Sequence, residues 1–273
     1  MGVREMISAP WSRLARLPGI RQGLEAWYER RFSQVTPLGN LYRGVFANFV
    51  DAQSSAPLTR PCGYDNPDSA ELYRERTRRV YASDYPVMLW LSKLFKTGNA
   101  SVFDLGGHIG IAYYAYQRYI DYPHAIHWCV FDVPAVNVAG MTWAEVHDPH
   151  RRLTFTGQRA DADGMDILLA SGSLQYLDYT LAELLASLER PPVHLIVNLM
   201  PIHMSESYFT VQNMGTAYCP YRITAEREFI DGLKARGYSL RDRWENPDRH
   251  CHIPFYPVHS LDRYFGFYFG REA

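Results

Sequence analysis

The residues best placed to do chemistry sit where an apolar run, Val102-Phe103, ends in the carboxylate of Asp104 and breaks into Gly106, Gly107 and Gly110. Residues without a Cβ let the backbone approach a ligand closely. A second apolar run, His127 to Phe131, ends in Asp132, the place of a ribose-binding carboxylate on the next parallel strand. The two turns together predict a site for a ligand that carries a nucleoside.

What the loop lacks narrows the ligand. With Gly107 and Gly110 aligned on the last two glycines of a dinucleotide fingerprint, Leu105 stands where the first should be. Amides and a helix dipole at such a turn would attract a pyrophosphate, but Asp104 adds a negative charge beside it. An acid suits a cation. S-adenosylmethionine (SAM) has a sulfonium and an amino group and no phosphate, so it is the expected cofactor. Asp104, Gly106, Gly107, Gly110, Asp132, Asn137 (one helical turn past Asp132) and Ser171 (after the fourth strand) are the expected cofactor contacts. Asp161 or Asp163 could accept from the adenine amino group.

Ligands bind at the carboxyl ends of strands in open α/β sheets. Tyr176, just past the fourth strand, is therefore the candidate catalytic wall or hydroxyl at the sulfonium. His203, past the fifth strand, and His108, within the glycine loop, are candidate bases because imidazole titrates near neutral pH. Tyr114, Ser173, Tyr208 and Gln212 are candidate substrate contacts. The last two lie on a long loop that could close over the site, whereas Tyr113 and Tyr116 share a face expected in the core. For each of these residues the plainer alternative is a loop or core side chain with no ligand.

The elements that must hold these residues alternate. Strands are expected at 101–105, 127–131, 153–156, 166–170, 193–198, 239–244 and 264–269, with helices between most of them. Continuous apolar runs such as Ile167-Leu168-Leu169 and Leu195-Ile196-Val197 fit parallel strands covered on both faces. Thr224 and Gly237 bracket one expected helix as N-cap and C′ residue. No helix fits between the last two strands, so the final strand should run antiparallel. The fold class is α/β: a Rossmann-like class I methyltransferase fold with a seven-stranded, mostly parallel sheet, and a helical N-terminal cap. The cap spans 1–96 and the SAM-binding domain 97–273. Within the cap, 11–17 and 24–32 read as short amphipathic helices with arginine faces, able to lie on an anionic membrane or simply to be solvated. Asp51 to Ser69 reads as a loop, Ala70 to Val80 as a charged helix, and Tyr85 to Leu91 as the start of an apolar one.

Composition sets the remaining limits. The chain has 273 residues, 47% of them hydrophobic, enough for a full-sized core. Its net charge of −1 argues against a nucleic-acid partner. Four cysteines far apart, with no C-x-x-C, fit reduced thiols in a cytoplasmic protein. His250-Cys251-His252 suggests no metal, since adjacent side chains diverge and no second ligand pair stands at zinc-site spacing. Neither a membrane-spanning run nor a signal peptide is evident. A small-molecule substrate is the expected partner, with a homodimer admitted.

Asp104 to Gly110 with Tyr113-Tyr114, the stretch Ile167 to Tyr176 including Ser-Gly-Ser-Leu-Gln-Tyr, then Phe209-Thr210-Val211-Gln212 and Tyr264 to Phe269, resemble a family of bacterial class I methyltransferases linked to surface-glycan and natural-product clusters. The resemblance covers about residues 70–270. It implies a seven-stranded sheet, SAM at the glycine loop, and Asp132 on the ribose. In that family the fifth strand ends Asn-Arg-Thr-Pro, whereas this chain reads Asn198-Leu199-Met200-Pro201. Loss of the arginine weakens the case for an anionic acceptor. It also admits a relation to the azetidine-2-carboxylate synthases, in which SAM is itself the substrate and its own amine displaces methylthioadenosine. An apolar aromatic pocket would favour the neutral amine this needs, and the chain has 20 tyrosines and 13 phenylalanines. Three functions therefore stand open: methyl transfer to a small molecule or glycan, SAM cyclisation, and SAM binding without catalysis.

Overall fold

The computed structural model describes residues 18–34, 40–66 and 74–271. Helix α1 (Pro18–Gln34) leads into strand β1 (Leu41–Phe46) and helix α2 (Phe49–Ser54). After two 3-10 turns, Arg74–Arg78 and Ala82–Asp84, come α3 (Tyr85–Lys96), β2 (Ser101–Leu105), α4 (Ile111–Tyr116), β3 (His127–Phe131), α5 (Pro134–His147) and β4 (Leu153–Thr156). Then follow β5 (Ile167–Ser171), α6 (Leu181–Ala186), β6 (His194–Met200), β7 (Ile202–His203), β8 (Tyr208–Asn213), β9 (Tyr218–Ala225), α7 (Glu226–Lys234), β10 (Tyr238–Asn246) and β11 (Tyr264–Arg271).

The main sheet has seven strands in the order β10-β11-β6-β5-β2-β3-β4. Neighbours from β6 through β4 pair in parallel, and β11 runs antiparallel to both β6 and β10. All seven expected strands are present, and so is the antiparallel last one. The sheet is covered on both faces. Leu168, Ala170, Leu195 and Val197 pack with α6 and α7 residues such as Leu184 and Leu233. Ile167, Leu169, Ile196 and Trp128 pack with Val87, Leu91 and Phe95 of α3. That double burial is why these strands read as unbroken apolar runs.

A second, four-stranded sheet, β1-β8-β9-β7, lies outside the expected set. The β8–β9 hairpin sits between β6 and α7, and β1 of the N-terminal segment pairs antiparallel with β8. Tyr28 and Phe32 of α1 are buried against Tyr218 and Val211 of this hairpin. The 24–32 helix is part of α1, and the apolar helix from Tyr85 is α3.

Several expectations need correction. Tyr208 and Gln212 stand on β8, not on a loop, because both faces of that strand are buried. Thr224 belongs to β9, and Ala225 is the residue capping α7. The loop expected from Asp51 begins inside α2, which Asn48 caps by accepting the Asp51 N–H at 2.8 Å. Of the helix expected at 70–80, the described part is a 3-10 turn. The helix expected at 11–17 lies outside the described residues. Among the described residues no helix is long and apolar enough to cross a membrane, and no group of three or more His, Cys, Asp or Glu is placed to hold a metal ion. The four cysteines are unpaired.

Candidate active site

The carboxyl ends of β2, β3, β5 and β6, the Ala82–Asp84 turn and the second sheet line an open cavity of about 1350 Å³. The glycine turn after β2 forms part of its wall through Gly106, Gly107 and His108. Two of its glycines are required by the protein's own packing. A Cβ on Gly106, whose φ is 76°, would lie 2.3 Å from the Ser173 Cβ, and one on Gly107 would lie 2.4 Å from the Asp104 Cγ. The turn is locked further by Ser173, whose hydroxyl donates to the Leu105 carbonyl, and by Asp132, whose Oδ2 accepts the His108 N–H at 2.9 Å. His108 is held at φ 58°, a left-handed conformation unusual for a residue with a Cβ.

Three carboxylates line this part of the cavity. Asp104 is 2% exposed and accepts from the Trp128 indole at 3.0 Å. Burial pushes its pKa up to about 7, and the nearby Asp132 charge adds to the rise. Asp132 accepts the Val133 and His108 N–H groups, yet burial still lifts it to about 6. Asp84 accepts the Tyr81 N–H at 2.7 Å and the Tyr116 hydroxyl at 3.2 Å. Buried acids with raised pKa values favour a bound cation, because the cation repays the cost of ionising them. Arg76 and Arg79 line the same cavity, and their guanidinium groups lie 5.1 and 5.0 Å from the Tyr81 ring centre.

The second sheet and β11 contribute a wall of phenols. Tyr221 donates to the Tyr264 hydroxyl at 2.8 Å, Tyr42 and Tyr264 hydroxyls lie 3.3 Å apart, and the Gln212 amide donates to Tyr42 at 3.3 Å. Burial raises the pKa of all three tyrosines, so they remain neutral phenols. At the end of β6, Leu199 lines the cavity with a φ of 54°, so the backbone of the divergent Asn-Leu-Met-Pro stretch bends in the left-handed region.

The structure brings Asp104, Gly106, Gly107, His108, Asp132, Ser171, Ser173 and Tyr176 together on one cavity. It places the remaining candidates elsewhere. Gly110, at φ 84°, caps α4 and packs on Leu153. Asn137 donates to the carbonyls of Asp132 and Thr156, both at 2.8 Å, and so ties β3 to β4. Tyr114 packs edge-on against Tyr113 and His147, while Tyr116, assigned to the core from sequence, lines the cavity. His203 donates from Nε2 to the Val258 carbonyl at 3.1 Å and accepts the Glu206 N–H at Nδ1, away from the cavity. The Tyr208 hydroxyl donates to the His259 carbonyl, and Gln212 reaches the cavity wall only through Tyr42. Asp161 accepts from Thr156 at 2.5 Å and Asp163 from the Arg190 N–H, and neither lines the cavity.

Sequence reading missed Asp84, Tyr116, Gln175 and the Tyr42–Tyr221–Tyr264 wall. Gln175 carried a signal, since it sits inside the Ser-Gly-Ser-Leu-Gln-Tyr stretch. Tyr264 carried the same kind of signal, within Tyr264 to Phe269, but Tyr42 and Tyr221 carried none, because they stand on the second sheet, which lay outside the expected set.

No protein-family model matches the sequence, and no curated protein matches it. Solved structures do match. Magnesium protoporphyrin IX methyltransferase from Synechocystis PCC 6803 with bound S-adenosylhomocysteine is 13% identical, covers 77% of this chain and 97% of its own, and has a TM-score of 0.50. The 1,6-didemethyltoxoflavin-N1-methyltransferase of Burkholderia thailandensis, with 1,6-didemethyltoxoflavin and S-adenosylhomocysteine bound, is 17% identical over 70% of this chain and 79% of its own, with a TM-score of 0.45. The chain has the Rossmann-like α/β fold of the class I methyltransferases.

Proposed function

We propose that the chain is a SAM-dependent methyltransferase acting on a small molecule, with residues 1–96 as a cap and 97–273 as the SAM-binding catalytic domain, in the cytoplasm. The observation that carries this reading is one cavity in which a glycine turn, buried acids and arginines stand beside room for a second ligand. At about 1350 Å³ the cavity exceeds the roughly 300–1,000 Å³ of a pocket for one drug-sized ligand. The fold neighbour with bound S-adenosylhomocysteine supports the choice of cofactor.

The residues fit SAM group by group. Asp132 would take the ribose hydroxyls beside Gly106 and Gly107. Asp104 and Asp84 would take the amino group, and Arg76 and Arg79 the carboxylate. SAM supplies a methyl group on a sulfonium, already a strong electrophile. The chain's own contribution is to align the acceptor and exclude water. In the transfer, the acceptor's heteroatom gives its lone pair to the new bond to carbon, the C–S pair goes to sulfur, and the acceptor's proton leaves to His108 or to water. His108 lines the cavity and His203 does not, so His108 is the candidate base.

The cyclase reading needs no space beyond SAM itself, and the cavity volume counts against it. Incubating the purified protein with SAM alone, followed by mass spectrometry, separates the readings. Methyl transfer predicts unchanged SAM in this assay and S-adenosylhomocysteine binding by calorimetry. Methylthioadenosine with a four-membered amino acid above the no-enzyme rate, or no cofactor binding, would overturn it.

A further inference from the structure

Part of the cavity is built from rings and a single amide. From His108 in the glycine turn, Tyr64 lies 6.1 Å away, Tyr176 6.5 Å beyond it, Tyr221 5.3 Å beyond that, and Tyr42 a further 5.2 Å, all between ring centres. Every one of these rings lines the cavity. The series leads from the glycine turn to the second sheet through rings alone. The rings pack on one another tilted or edge-on, and their cavity side offers a flat ligand an aromatic surface.

Gln175 stands among them on the 3-10 turn after β5 (Leu174–Tyr176). It is 4% exposed, it lines the same cavity, and its Oε1 is buried with no hydrogen-bond partner. A buried acceptor left unsatisfied destabilises the protein. A donor entering the cavity removes that cost.

We propose that Gln175, Tyr176, Tyr221 and Tyr42 form an acceptor subsite for an uncharged planar ring bearing an O–H or N–H, with Gln175 Oε1 accepting that hydrogen. The inference rests on the methyl-transfer reading and names its substrate class. A carboxylate brings no hydrogen for Oε1 and meets no cation among these four residues. A protonated amine could satisfy the amide but has no lone pair to attack a methyl group. A neutral ring O–H or N–H provides both the hydrogen and the lone pair, and its face can lie against the cavity-lining rings.

The test uses 2-naphthol, 2-methoxynaphthalene and 2-naphthoate, titrated into the protein saturated with S-adenosylhomocysteine. These probes share one ring and differ in the hydrogen and the charge. The subsite predicts that 2-naphthol binds at least tenfold tighter than either of the others. In Gln175→Leu its advantage over 2-methoxynaphthalene should shrink to within twofold, while cofactor affinity is kept. Equal or tighter binding of 2-naphthoate, an advantage that persists in Gln175→Leu, or no binding of 2-naphthol would each overturn the proposal. The probe series is run on the unaltered protein, so it decides the matter even if the variant does not fold. Failure to bind S-adenosylhomocysteine at all would instead overturn the methyl-transfer reading, and the same series without cofactor would still report on the subsite.

Discussion

Gly107 lies against Asp104 so closely that a Cβ on it would sit 2.4 Å from both the carboxyl carbon and Oδ2. Asp104 cannot easily yield, because the Trp128 indole holds it and it is 2% exposed. Gly107→Ala should therefore destabilise the protein by about 1–3 kcal/mol, as overpacking of a filled site does, and weaken S-adenosylhomocysteine binding at least tenfold. Gly157→Ala is the control. A Cβ there meets nothing within 4 Å, and thermal unfolding should be unchanged.

Asp132 holds two backbone N–H groups, those of Val133 and His108, and so braces the turn as well as facing the cavity. Asp132→Ala should lower S-adenosylhomocysteine affinity at least tenfold by calorimetry. Asp161→Ala and Asp163→Ala should leave it within twofold, because neither carboxylate lines the cavity. Parent-like affinity in Asp132→Ala would remove this residue from the cofactor site.

The main sheet was legible because its strands are doubly buried and bounded by turn residues, so Ile167 to Leu169 and Leu195 to Val197 could be read without ambiguity. The second sheet was not. Leu41–Phe46 contains Gly44 at φ 73° and a register shift between Arg43 and Phe46, and Pro220 interrupts β9, so neither strand shows a clean period of two. On the site, the acids at strand ends were readable from position alone. Asp84 was not, since its role depends on Tyr116 reaching it across 32 residues of sequence. Helical phase misassigned Tyr114 and Tyr116 because α4 is only six residues long and buried almost all round.

Asn198, in the Asn-Leu-Met-Pro stretch, joins the Ala82–Asp84 turn to the main sheet. Its Nδ2 donates to the Ser83 carbonyl at 3.0 Å, and its Oδ1 accepts from the Trp244 indole at 3.0 Å and the Asn246 amide at 3.1 Å. Asn198→Leu would leave the buried Asn246 amide and the part-buried Trp244 indole without this acceptor, at about 1–3 kcal/mol each. Differential scanning calorimetry should show a loss of roughly 2–4 kcal/mol of stability. An unchanged transition would mean that the fold does not depend on this joint.

The raised pKa of Asp104 should make the affinity for a cationic cofactor depend on pH, and the sign follows from its shift. Burial places its folded pKa at about 7, above the 3.8 of an ordinary aspartate. Between those values the unfolded chain is ionised while the folded protein holds a proton. The group therefore costs stability progressively as pH rises from about 4 to 7, and no further above that. A cationic ligand reverses the preference, because binding the ammonium of SAM requires the ionised carboxylate. Binding below pH 7 must then release a proton, and affinity should rise by up to about tenfold per pH unit from 5.5 to 7 before levelling off. Asp132, lifted to about 6, contributes part of the slope at its lower end. Asp104→Asn should remove the upper part and leave affinity at pH 7.5 near its pH 6 value. Calorimetry in buffers of different ionisation enthalpy measures the released proton directly. S-adenosylhomocysteine shares the ammonium but lacks the sulfonium, so an equal slope for both ligands would place the amino group, and not the sulfur, at Asp104. No proton release with either would show that Asp104 does not face the cationic end of the cofactor.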